Sequence, residues 1–402
     1  MMNVLMTGMM VLMFSGAALA QSGSCGGMSI GAGASLNGFA PFSTDSPWNT
    51  DISAAPVDPS SSDIINFIGR SVKLHPDFGS GFFRSQMIGI PYQVVGSSQP
   101  KVPVLLGSFA GESDPGPMPI PAVALIEGYP NPGRGDRHVI VLDRDGCWLY
   151  ELFRAAKNES GEWQAASAAV WDMTINAKRP YRWTSTDAAG LPVFAGLVRY
   201  DEVAAGAIKH ALRFTVPRTR RAFVSPASHW ASRITDPPAP PIGTRLRLKA
   251  SFDLSGFPPE VRVILAALKK YGMILADNGS AIFLTGAPHP NWDNDSLRTL
   301  RRVTASDFEV VRMDTIYTGP NIPRGRSPII DSFRANSVST SNGQPVTLSW
   351  KIERSLYNII SPEVGPVRGN SVVVTPTATT TYTIYATNQY GRTVKSVTIS
   401  VQ

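Results

Sequence analysis

The chain has 402 residues, a net charge of +7 and two cysteines. Two cysteines exclude a disulfide-stapled miniature fold and a cysteine-based zinc site, and the length exceeds one ordinary domain of about 100–200 residues, so two units are expected. The basic excess is local: residues 199–249 hold ten Lys and Arg against three Asp and Glu.

Residues 1–20, MMNVLMTGMMVLMFSGAALA, are uncharged and end in Ala18-Leu19-Ala20, the pattern of a signal peptide cleaved before Gln21. Their apolar core, residues 4–14, is too short to span a bilayer, and no later run approaches about 18 apolar residues, so no membrane span is expected. A secreted or extracytoplasmic protein follows. In that oxidising setting Cys25 and Cys147 can pair, and the sequence leaves the pairing open.

Residues 21–40 are Gly/Ser-rich and read as a flexible segment. The main domain is expected over residues 41–318. It begins with a capped helical stretch at residues 60–69, followed by GIPYQVV, KVPVLLGSF and AVALIEG, short runs cut by Pro and Gly that read as strands of a sandwich or jelly roll. Residues 137–153, RHVIVLDRDGCWLYELF, form a hairpin about Asp145-Gly146. A two-residue turn puts His138 and Glu151 on one face, opposite or diagonal.

Trp171, Trp183 and Asp187 follow in a stretch of weak periodicity, a mixture that lines sugar-binding clefts and also covers β-sandwiches. Asp201 and Glu202 suit the start of a short helix, YDEVAAG. The next strand carries His210 and Arg213, three apart and therefore on opposite faces; His210 shares its face with Leu212 and Phe214, as a core histidine does. RLRLKASFDL reads as a half-buried strand with Arg245, Arg247 and Lys249 on its wet face. A packed helix, with Ser255 as cap, Pro258 and Pro259 in its first turn and Val261, Ile264, Leu265 and Leu268 at helical spacing, ends at Gly272. MILADNGSAIFLTG reads as a hairpin about Asn278-Gly279, which accounts for Asp277 by turn chemistry. Asp293 belongs to a helix cap before SLRTLRRV.

Residues 319–328 form a Pro/Gly linker, and residues 329–402 show short alternating strands around Trp350. Through GQPVTLSW, VTPTATTTYTIYATN and SVTISV this last region resembles the immunoglobulin-like modules appended to secreted bacterial proteins. The resemblance implies a β-sandwich and an extracytoplasmic setting, and no activity. The body is similar to a group of secreted bacterial proteins through SPWNTDISAAPV, GDRHVIVLD, AAGLPVFAGLVRYDEVAAG and ADNGS. That likeness transfers no catalytic residue. The expected fold class is therefore mainly β: a jelly-roll or β-sandwich body with one packed helix, plus a C-terminal immunoglobulin-like β-sandwich.

The chain lacks HExxH and P-loop motifs. Carboxylates, histidines and arginines remain, suited to glycoside hydrolysis by two carboxyl groups or to uronate elimination by a base and a cation. The catalytic candidates are Glu151, His138, Glu202, Asp187 and His210, and the substrate-binding candidates are Arg137, Arg199, Arg213, Trp171 and Trp183. The leading expectation is a monomeric polysaccharide-acting hydrolase or lyase, suited by its basic run to an acidic glycan, with no metal or other cofactor and no nucleic-acid partner. The alternative is a non-catalytic carbohydrate-binding or cell-surface protein.

Overall fold

Two sheets share the core of the body in this computed structural model, which describes residues 23–402; the expected signal peptide lies outside the described residues. The first sheet has five strands in the order Gly31–Ala32, Tyr92–Val95, Val139–Asp143, Trp148–Phe153 and Ser167–Asp172. Successive side chains on a strand point to opposite faces, and here both faces are covered. Ile140, Leu142, Leu149 and Trp171 enter the main core, while Val139, Val141, Tyr150, Leu152 and Val170 enter a second one. The hairpin of residues 137–153 has the register expected of a turn at Asp145-Gly146, with Ile140 opposite Glu151 and Asp143 opposite Trp148. The Asp143 carboxylate accepts from the amides of Asp145 and Gly146, which fixes the turn.

The second sheet runs Phe308–Val310, Arg245–Leu248, Met273–Asn278, Leu212–Val216, Phe283–Thr285, His75–Asp77. Leu212, Phe214, Val216, Leu246 and Ile274 join the main core, as do Val261, Ile264, Leu265 and Leu268 of the helix Pro259–Lys270. That helix is the longest of four α-helices among the described residues. Gly272 follows it at φ 67°, where a Cβ would stand 2.4 Å from the Leu246 carbonyl oxygen, so only glycine fits. The fold class is mainly β, as expected. No helix among the described residues is long and apolar enough to cross a membrane.

Four local expectations are corrected. MILADNGSAIFLTG is not a hairpin: the strand Leu212–Val216 lies between its two arms, parallel to Met273–Asn278 and antiparallel to Phe283–Thr285. AVALIEG forms turns and no strand; Pro121 and Pro130 bracket it and Gly128 ends it. The basic strand has no wet row of charges. Arg247 is buried against Glu309, at 2.6 Å, and donates to the carbonyls of Ser53 and Ala55; Arg245 donates to Tyr271 and Lys249 to Ser306. Ser255 does not cap the long helix, whose N-cap position is Pro258.

The Gly/Ser-rich segment, expected to be flexible, is tied down from residue 23 onward. Met28 and Leu36 are core residues, Gly31–Ala32 pairs with the Tyr92–Val95 strand, and Cys25 is bridged to Cys147 with their Cα atoms 5.5 Å apart.

Residues 329–402 form a two-sheet β-sandwich with three strands on one side, five on the other, and Phe333, Leu348, Trp350, Ile360, Tyr382 and Ile384 between them. In the strand Tyr357–Ser361, Ile360 faces that interior while Tyr357 and Ile359 face the body and complete its second core. A buried ion cluster crosses the same contact: Asp114 of the body meets Arg179 of the body at 2.5 Å and Arg392 of the C-terminal sandwich.

Candidate functional site

Glu151 turns out to be a fastening. It is fully buried, and its carboxylate accepts from the Trp171 indole N–H (3.2 Å), the Thr186 hydroxyl (3.0 Å) and the amides of Val193 (3.2 Å) and Phe194 (2.8 Å). Three of those donors, Thr186, Val193 and Phe194, stitch residues 186–194, an irregular loop, to the first sheet. Inside that loop Asp187 accepts from the amides of Ala189 and Leu191 through Oδ1, leaving Oδ2 buried without a hydrogen bond. The loop closes tightly: at Gly190, φ 70°, an added Cβ would lie 2.0 Å from the Ser228 hydroxyl oxygen.

Asp187 Oδ2 faces Arg213, whose Nε stands 3.5 Å away. Arg213 also donates to the Thr285 hydroxyl at 3.0 Å and has Nη2 4.0 Å from Asp277. Strand order assembles this group. Leu212–Val216 lies between Met273–Asn278, which carries Asp277 next to its end, and Phe283–Thr285, whose Thr285 pairs in turn with Asp77. From the opposite direction come His138 and Glu127, locked together because the Glu127 amide donates to the His138 carbonyl and the His138 amide donates to the Glu127 carboxylate.

Two cavities open on this cluster. One, of about 230 Å³, is lined by Asp187, Asp277, Thr184, Thr186, His229 and Phe153, among others. The other, of about 280 Å³, is lined by Asp77, Glu127, Asp136, Arg137 and the strongly exposed Phe83.

A single buried guanidinium therefore serves carboxylates on both sides, and proton affinities rise. Burial pushes the Asp187 carboxyl up to about 7; Arg213 opposes this, and the charges of Asp277 and Glu151 reinforce it. Glu127 is likewise pushed up to about 7 by burial, against the His138 amide. Asp277 and Asp77 are raised, again by burial first. His138 is pulled down to about 4 by burial and then by Arg213, so it is neutral at physiological pH. A carboxyl group that holds its proton near neutrality beside a second, more exposed carboxylate has the makings of general acid–base catalysis. Among the described residues no group of three or more His, Cys, Asp or Glu side chains is placed to hold a metal ion.

No protein-family model matches the chain, and no curated protein sequence does. The chemistry of the site therefore rests on its geometry alone.

The structure divides the sequence-derived candidates among separate places. Asp187, Arg213 and His138 meet at the cluster, and Arg137 lines the adjoining cavity. His138 shares a face with Glu151, as the turn predicted, yet all the hydrogen bonds of the Glu151 carboxylate go elsewhere. Glu202 and His210 form a different cluster with Arg199: Glu202 lies 2.8 Å from Arg199 and 3.0 Å from His210, whose other ring nitrogen faces the Ala211 carbonyl. Burial works against ionised Glu202, but Arg199 and His210 outweigh it and hold the carboxyl below its usual range. Neighbouring Asp201 accepts from the Leu36 amide, so this group anchors the amino-terminal segment. Trp171 is a core residue bonded to Glu151, and Trp183 is half-buried between the guanidinium groups of Arg179 and Arg392. The Trp171 ring is closed to a sugar. Sequence reasoning missed Glu127, Asp77 and Phe83 and set Asp277 aside as a turn residue.

Proposed function

We propose that the protein is an extracytoplasmic enzyme that hydrolyses a polysaccharide by general acid–base chemistry, with Asp187 and Asp277 as the working carboxyl pair. The observation that carries this reading is that both line one cavity and share Arg213, while Asp187 is pushed up to about 7. Asp187 is the acid, protonating the leaving oxygen; Asp277, whose side chain is the more exposed of the two, is the group placed to activate water or stabilise the developing positive charge. Arg213 keeps the pair from carrying two uncompensated charges. Phe153 and the Thr184 and Thr186 side chains supply the mixed apolar and polar lining that sugars need. Hydrolysis is favoured over uronate elimination because the Arg213 charge is already shared among carboxylates, leaving it no free valence for a substrate carboxylate. The signal-peptide pattern at residues 1–20 and the Cys25–Cys147 bridge support an oxidising compartment.

Release of reducing ends from a panel of neutral and acidic plant, bacterial and animal polysaccharides tests the reading. Asp187→Asn and Asp277→Asn should each lower turnover by about 10²–10⁴-fold, with circular dichroism showing each variant folded at the assay temperature. A native protein that releases no ends from any member of the panel overturns it. A second reading, a non-catalytic glycan-binding protein, is favoured by the depth of Asp187, whose side chain is fully shielded from solvent. Binding without cleavage would be its result.

A further inference from the structure

A further cavity lies away from the carboxylates. It has a volume of about 860 Å³ and runs between the body, the linker of residues 319–328 and the C-terminal sandwich. Its walls carry Arg182 and Arg221 from the body, Arg324 from the linker, and the rings of Tyr181, Trp230 and Tyr390; none of its lining residues is acidic. This sets it apart from the buried arginines elsewhere in the molecule. Arg179, Arg199, Arg213 and Arg247 each face at least one carboxylate, whereas Arg182, Arg221 and Arg324 have no ion-pair partner among the described residues, and all three are exposed.

The groove is built, not incidental. Arg182 is held at φ 74°, a backbone conformation uncommon for a residue with a side chain, and its guanidinium donates to the Gly319 carbonyl of the linker. The Tyr181 amide donates to the Gln389 carbonyl, fixing body to sandwich beside the groove. Tyr181 packs against Tyr317 and Tyr390 at centroid distances of 5.8 and 6.0 Å, and Trp230 stacks on Phe223 at 5.8 Å, so the rings are propped at set angles. Gly325 lies so close to the Tyr390 ring that a Cβ there would be 2.5 Å from it.

We propose that this groove binds the acidic residues of an anionic oligosaccharide, the arginines pairing with carboxylate or sulfate groups and the aromatic rings packing on sugar faces. Arg forks match planar or tetrahedral oxyanions, and ring faces match the apolar side of a pyranose. The inference deepens the hydrolase reading and rests on its choice of a glycan ligand. Groove and carboxylate cavity also meet along the chain: Trp230 lines the first, and its neighbour His229, with Nδ1 2.9 Å from the Ala188 carbonyl oxygen, lines the second. The carboxylate cavity, lined by Asp187 and Asp277 and by no lysine or arginine, offers a uronate no cation. The arginine groove attracts one. The substrate class this arrangement selects is a polymer in which charged sugars sit in the groove while the bond presented to Asp187 and Asp277 joins an uncharged sugar.

Titration of the full chain with oligogalacturonate, chondroitin sulfate oligomers, neutral xylo-oligosaccharides and single-stranded DNA, followed by calorimetry at two salt concentrations, tests the assignment. An acidic oligosaccharide should bind and weaken as salt rises, the neutral one should bind less tightly, and Arg221→Ala with Arg324→Ala should lower the affinity by about tenfold or more at an unchanged melting temperature. Trp230→Ala should weaken binding as well and gives a second reading should the arginine pair disturb the fold. Absence of binding to every acidic oligosaccharide, binding that the double variant leaves unchanged, or tighter binding of DNA than of any glycan overturns the proposal. Cleavage of neutral glycans with no acidic binding would remove this inference and leave the hydrolase standing; acidic binding without cleavage of any polymer would do the reverse.

Discussion

Two buried ion clusters, one inside the body and one across its contact with the C-terminal sandwich, use the same residue types and reach opposite states. Around Asp114, one carboxylate faces two guanidinium groups, Arg179 and Arg392, and also accepts from the Val170 amide at 2.9 Å and the Tyr357 hydroxyl at 3.2 Å. Burial alone would raise its pKa, but the two arginines and the amide more than offset that and hold it below its usual range. Around Arg213 the count is reversed: one guanidinium lies among Asp187, Asp277, Asp77 and Glu127, and every one of these carboxyls is raised. The sign of the excess charge decides what a buried cluster can do. A cation-rich cluster keeps its acid permanently ionised and serves as a joint, whereas a carboxylate-rich one stores protons that can be given away near neutral pH.

The comparison breaks most visibly at Asp114. Asp114→Ala leaves Arg179 and Arg392 buried without a counter-charge and should lower stability by about 3–5 kcal/mol, read as a shift in the denaturant midpoint and as new proteolytic cutting in residues 319–328. The next effect is on pH. Asp187 has its folded pKa raised above an ordinary value of 3.8, so between about 4 and about 7 the folded chain holds a proton that the unfolded chain has released. Stability from this group is therefore present at the low end of that window and is lost as pH rises through about 7, with a slope of at most about 1.4 kcal/mol per pH unit. Asp114, with a lowered folded pKa, contributes in the other direction: its share is present above the ordinary carboxylate range and disappears as pH falls through the folded value. Asp187→Asn should flatten the neutral limb of a stability-against-pH curve and leave the acid limb in place. The smallest effect is expected at Arg368, which pairs with Asp172 at 2.6 Å but is 45% exposed. Arg368→Ala should cost about 1 kcal/mol or less, measurable by thermal melting in low and high salt.

How much of this was legible depended on whether the contacts were local. The hairpin of residues 137–153 carried its register in the Asp145-Gly146 turn, and the helix Pro259–Lys270 carried its buried stripe in the spacing of Val261, Ile264, Leu265 and Leu268. Pairing of Leu212–Val216 between two arms that look like a hairpin leaves no mark in either arm, because a parallel neighbour comes from about sixty residues away. Asp277 was thereby hidden as a turn residue. The site collects residues near positions 127, 187, 213 and 277, and only Asp187 and Arg213 lay in a stretch whose composition drew notice. Charge misled in the same way: Arg199 and Arg213 read as substrate-binding residues of a local basic run and Arg247 as part of a strand's wet face, yet each is buried against carboxylates that sequence alone could not assign to it.

The contact made by Tyr357 and Ile359 has a consequence for how the chain can be divided. The five-stranded sheet has apolar side chains on both faces, and the C-terminal sandwich supplies part of the cover on one of them. A cut in the Pro/Gly linker would not release two self-sufficient pieces. It would bare the side of Val141, Tyr150 and Leu152 and strand Asp114 and Arg179 without Arg392. The sandwich is thus an organ of the body it follows, and the two halves are expected to be inherited, expressed and unfolded together.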